Sequence, residues 1–187
     1  MAPLACAAAN LVAIVVLALV LAPSTPVVPD VAERERYIGE HLLAWRLGWA
    51  TWMVAAATLI WCYSWWRRRV GGPHLALVIA LAGIVADWSA ETLLIVSGAG
   101  GYAAVAPLAF FLTGAIANGA YTAAGILLTL ASPLTPRSRA YAALMWSAGL
   151  SLSFGALFDI TLITALATAE LFALFIPWCV WLRRRLA

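Results

Sequence analysis

"WCYSWWRRRVGGPH", residues 61–74, marks the edge of a membrane. A tryptophan-rich apolar run stops at Arg67, Arg68 and Arg69. Gly71, Gly72 and Pro73 then turn the chain, and a second apolar run begins. Tryptophan belongs at the headgroup level and arginine just beyond it on the cytoplasmic side. Gly-Gly-Pro is turn chemistry. Near the other end, "WCVWLRRR", residues 178–185, repeats the order of residue types. The two stretches read as two helices leaving the bilayer through the same plane. They are anchors that fix topology and a depth scale, with no need for a duplicated motif.

Composition agrees. The 187 residues are 65% hydrophobic and only 10% charged, with mean hydropathy +0.98. A soluble domain carries about 25% charged residues, so lipid is the solvent, and residues 1–187 read as one membrane domain. All eleven basic residues are Arg, which excludes a lysine Schiff base. The net charge of +3 is no nucleic-acid signal, because the arginines gather at membrane edges. Cys6, Cys62 and Cys179 form no CxxC pair and read as small apolar packers. No cofactor is indicated, and a structural zinc or haem site is not expected.

Six segments are long enough to span as helices: about 4–22, 42–66, 75–97, 105–131, 140–163 and 168–182. The fold class is therefore all-α, an integral membrane bundle of six transmembrane helices. The first segment lacks a basic leader and a clean cleavage site, so it reads as a retained helix rather than a signal peptide. Arg67–Arg69, Arg137, Arg139 and Arg183–Arg185 are eight of the eleven arginines. All eight fall on the cytoplasmic side when both termini are cytoplasmic. The expected location is the bacterial inner (plasma) membrane. Asp30 is placed to cap a short charged helix over the external surface. The Gly-rich 98–104 stretch reads as an external loop. The halves show no inverted repeat, since the two anchors occupy non-equivalent helices.

Asp87 and Glu91 stand four apart on the third helix and share a face. By helical rise they lie about 18–20 Å and 24–26 Å from the cytoplasmic edge, at and beyond the middle of a core about 30 Å thick. Each ionised carboxylate there costs about 2.5–3.5 kcal/mol on the insertion scale, and the two repel. Asn118, Asp159 and Arg46 are the candidate partners, with His41 and Glu170 at the margins. Small-residue stripes show which faces pack. Ala76, Ala80 and Gly83 lead to Asp87, and Ser147, Ser151 and Gly155 lead to Asp159. Helices three, four and five are expected to meet around Asp87, Glu91 and Asn118. Trp45, Trp49, Trp88 and Tyr121 are candidates for an aromatic wall. A metal site made from His41, Asp87, Glu91 and Asp159 lacks ligand spacing and is not expected.

Three functions follow from this cluster. The leading one is a small multi-pass protein with an outward-facing polar site that binds or moves a proton, a cation or a small polar solute, with Arg46 as counter-ion. The second is a non-catalytic subunit of a larger membrane complex, held by a helix-packing protein partner. The third is an intramembrane enzyme acting on a lipid, for which no GxSxG or similar nucleophile context exists. Beyond a ligand or a protein neighbour, the partner common to all three is the lipid bilayer.

Overall fold

The structure, a computed structural model, describes residues 1–186. Among them there is no strand. Helix α1, Ala2–Val16, continues through a π-helical turn, Leu17–Leu21, and a 3-10 turn, Ala22–Ser24. Helix α2, Val31–Glu40, is short and charged; Asp30 caps it by accepting from the Ala32 N–H at 2.9 Å. Helix α3 is Leu42–Val70 and α4 is His74–Phe110. A π-helical segment, Phe111–Ala117, joins α4 to α5, Asn118–Leu130. Helices α6, Pro136–Leu157, and α7, Thr161–Leu186, complete the chain.

Five helical runs are long and apolar enough to cross a membrane, and one of them, His74–Leu130, is 57 residues long. As a straight rod it would measure about 85 Å, nearly three times the hydrocarbon core. It doubles back at Gly98 instead, where φ is 54° and ψ is −156°. Only glycine adopts such angles easily. The contacts confirm the reversal: Gly83 lies against Ala120 and Tyr121, and Thr113 donates to Asp87. The arms 74–97 and 99–130 therefore cross separately, and the integral membrane bundle has six crossings.

The expected 98–104 loop contracts to this one residue. The break frees carbonyls at the end of the first arm. Arg46 Nε donates to the Ile95 carbonyl at 3.0 Å, and Ser97 Oγ to that of Leu94 at 3.0 Å. On the second arm, Glu35 Oε1 accepts from the Ala103 N–H at 3.3 Å, favourable for a carboxylate at a helix N-terminus.

The last hairpin also differs from expectation. Helix five was expected to run to 163 and helix six to start at 168, but α6 ends at Leu157 and α7 starts at Thr161. Asp159 sits between them in the left-handed region at φ 52°. The Ile160 N–H reaches back to the Gly155 carbonyl at 2.7 Å, the six-to-one bond of a Schellman turn. Asp tolerates that backbone better than most residues, so a turn forms here with no Gly or Pro to announce it.

Each end of the bundle carries an aromatic cluster. At the arginine end the Trp66 and Trp178 rings lie 6.0 Å apart, and Trp178 stacks on Trp181 at 4.6 Å. Trp66 Nε1 donates to Ser132 Oγ at 2.8 Å. The two tryptophan–arginine stretches thus meet at one end, where α1 starts and α7 finishes, the end expected from its arginines to face the cytoplasm. At the other end Trp45, Trp49 and Tyr102 pack edge-to-face. Ser24 ties that end together: its hydroxyl accepts from Trp45 Nε1 at 2.8 Å, and its carbonyl accepts from Tyr102. Helix α2 lies over this end, burying Ile38 and donating from Tyr37 to the Val20 carbonyl at 2.7 Å.

Candidate functional site

Ala76, Ala80, Gly83, Asp87, Ala90, Glu91 and Leu94 are all buried, so the expected small-residue stripe of α4 is its packing face. A Cβ on Gly83 would come within 2.9 Å of the Tyr121 ring, so glycine is what lets Tyr121 approach. Tyr121 donates to Asp87 Oδ2 at 3.1 Å, and Thr113 donates to Oδ1. Thr113 belongs to the π-helical segment opposite, a geometry found often at functional sites. Asp87 is 5% exposed.

A cavity of about 770 Å³ runs through the bundle beside this carboxylate. Trp49, Trp52, Phe110 and Phe172 line it along with aliphatic residues of α1 and α7. Asp87, Thr113, Asn118 and Tyr121 supply polar groups from one side. At the end away from Arg67–Arg69 and Arg183–Arg185 it meets a second hollow of about 560 Å³, which Arg34 also lines, and the two share Pro26, Val27, Asp159, Thr161 and Ala165. Val27 and Asp159 are exposed there, which makes this the mouth.

Glu91 lies outside the cavity wall. It is wholly buried, and neither carboxylate oxygen has a hydrogen-bond partner. The Arg46–Ile95 and Trp88–Met53 bonds set the register of α3 against α4, which puts Glu91 level with Trp49 and Trp52. Their indole N–H groups are also buried and unpartnered.

The other candidates disperse. Asn118 donates to the Gly149 carbonyl and to Ser153 Oγ, both at 2.8 Å, so it binds α6 to α5 and does not satisfy Asp87. Arg46 serves the freed Ile95 carbonyl and is not a counter-ion to Glu91. Asp159 sits in the turn between α6 and α7 at the mouth, not inside helix five. His41 stacks on Tyr37 at 4.5 Å on the exposed surface, which takes it out of any ligand set with the carboxylates. Of the expected aromatic wall, Trp49 and Tyr121 line the cavity. Trp45 is buried against Ser24 instead, and Trp88 is 41% exposed on the outer surface with its N–H bonded to the Met53 carbonyl at 3.1 Å.

The serine ladder on α6 is a further correction. Ser147 and Ser151 are exposed, while Met145, Ala148, Gly149, Leu152 and Gly155 pack inward.

Thr113 is the cavity-lining partner of Asp87 that sequence reasoning missed, whereas Trp52, on the helical stripe of Trp45 and Trp49, lines the cavity beside Trp49. A hairpin folded near residue 100 places Thr113 opposite Asp87, so the signal was available once the turn was fixed. Comparison with protein-family models, curated proteins and solved structures gives no match. The reading of the site therefore rests on its geometry.

Proposed function

We propose that the protein binds, inside the membrane, an amphiphilic molecule whose cationic group is received by Asp87. The observation that carries this reading is a carboxylate set in the wall of an otherwise largely aromatic and aliphatic cavity. Ligand cavities of this size are mostly apolar with a few placed polar groups. A hydrated inorganic ion would find too few oxygens along such walls. A lipophilic cation finds aromatic faces for its charge and body, worth about 0.5–2 kcal/mol per cation–π contact, a carboxylate at the mouth, Asp159, and one deep inside, Asp87. Entry is from the end opposite the arginine clusters of α3 and α7, past Asp159 and Arg34 at the mouth.

Tetraphenylphosphonium is a suitable probe for the purified protein in lipid nanodiscs. Saturable binding is expected, weakened several-fold by Trp52→Ala, with tetramethylammonium binding far less well. Equal binding of the two cations, or no saturable binding of either, contradicts the reading.

One observation favours a second reading, assembly with another membrane helix. Glu170 on α7 is exposed on the outside of the bundle, and it lies about 20 Å along the helix from Arg183. A carboxylate facing lipid at that depth is costly, and a neighbouring helix would shelter it. Mass measurement of the protein released from native lipid tests this. An assembly lost in Glu170→Leu supports it, and a monomer in both proteins rules it out.

A further inference from the structure

The cysteines of the two tryptophan–arginine stretches do not stand apart. Cys62 of α3 and Cys179 of α7 meet Cys6 of α1, and the three Sγ atoms all lie within 4.8 Å of one another. All three are free thiols and at most 1% exposed. Helix α1 makes the meeting possible. Its buried face is Ala2, Pro3, Cys6, Ala7, Asn10 and Ala13, small enough for α3 and α7 to close on it.

Apolar packing alone would be satisfied by alanine or valine at these positions. Two further features suit sulfur that carries charge. Asn10 Nδ2 donates to Cys6 Sγ at 3.4 Å, as well as to the Cys6 carbonyl at 2.8 Å. Arginines follow Cys62 and Cys179 by five and four residues, about 6–8 Å along each helix. The cavity is adjacent: Asn10, Leu59, Tyr63 and Phe175 line it, so its inner end abuts the cysteines.

We infer that Cys6, Cys62 and Cys179 form a trigonal site for a soft monovalent metal ion, copper(I). An ion at the centre of three atoms no more than 4.8 Å apart is within about 2.8 Å of each, and small side-chain rotations bring metal–sulfur distances to about 2.3 Å. Thiolate sulfur selects soft ions such as copper(I). Zinc is disfavoured because it takes four ligands in structural sites. Among the described residues no His, Asp or Glu joins the three sulfurs. Binding of one copper(I) by the three thiolates releases three protons to solvent, changes no oxidation state and leaves a site of net charge −2, which the arginines that follow Cys62 and Cys179 offset in part. Three thiols also cannot all be consumed by disulfides, since one is always left over. This site is separate from the Asp87 site, and neither reading depends on the other.

The test is an anaerobic titration of the purified full-length protein with copper(I) buffered by bicinchoninate, followed by X-ray absorption at the copper edge. One copper per chain in an all-sulfur, three-coordinate shell is expected. Each of Cys6→Ser, Cys62→Ser and Cys179→Ser should weaken binding by at least about tenfold, and Asn10→Leu by about 10–100-fold, the usual worth of a supporting hydrogen bond near a metal. The wild-type absorption spectrum stands on its own if a variant fails to fold. Copper retained by the triple serine variant, a shell containing nitrogen or oxygen, or preference for zinc(II) overturns the inference.

Discussion

At Asp87 two hydroxyls already occupy the carboxylate, while at Glu91, one turn further on, nothing does. The two residues have the same chemistry and a four-residue spacing, yet only Asp87 meets the cavity. Their substitutions should therefore part company. Removing an unsatisfied buried carboxyl relieves a penalty of about 1–3 kcal/mol, so Glu91→Leu is expected to raise the thermal midpoint measured in detergent. Tyr121→Phe deletes one hydrogen bond to Asp87 and should cost about 1 kcal/mol. A fall in stability for Glu91→Leu would mean that the carboxyl has a partner in the membrane. The sequence located Asp87 and Glu91 because charge in an apolar helix is conspicuous. It did not reveal Thr113, since a threonine in a membrane helix can satisfy its own hydroxyl on the preceding turn, as Thr129 does by donating to the Gly125 carbonyl at 2.8 Å.

Among the elements, the hairpin inside His74–Leu130 and the turn at Asp159 were legible to different degrees. Gly98 sits in a glycine-rich stretch that signals a break, although glycine at 100 and 101 proves compatible with helix. Gly98→Ala should cost about 1–3 kcal/mol, because positive φ with ψ −156° is a backbone conformation all but restricted to glycine. Gly100→Ala, with open space around its Cβ position, should be neutral or stabilising by up to about 1 kcal/mol. Chemical denaturation of the two variants checks the contrast, and equal effects would contradict a reversal at Gly98. The serine ladder on α6 misled for a geometric reason. Steps of four residues overshoot a 3.6-residue turn, so such a ladder winds away from one face. Ser147 can face outward because its hydroxyl donates to the Leu144 carbonyl at 2.7 Å. The alanine–glycine stripe of α4 mixes steps of three and four, and it stayed on its face.

For the whole molecule, hydropathy and arginine placement were enough to state six crossings with the termini together. The meeting of Cys6, Cys62 and Cys179 was not legible, because it depends on α1 wedging between helices remote in sequence. Sidedness has a direct check. Reporter fusions at the C-terminus and at 133–136 should report the cytoplasm, and reporters at 26–29 the opposite side; the reverse pattern contradicts the arginine rule for this chain. The central claim concerns the cavity: a largely apolar chamber whose inner carboxylate, Asp87, receives a cation. Calorimetric titration of tetraphenylphosphonium into wild type, Asp87→Asn and Glu91→Leu in the same lipid tests it most directly. The account predicts that Asp87→Asn weakens binding by about tenfold or more, roughly 1.4 kcal/mol, while Glu91→Leu stays within about threefold of wild type, under 1 kcal/mol. Unchanged affinity in Asp87→Asn would contradict it.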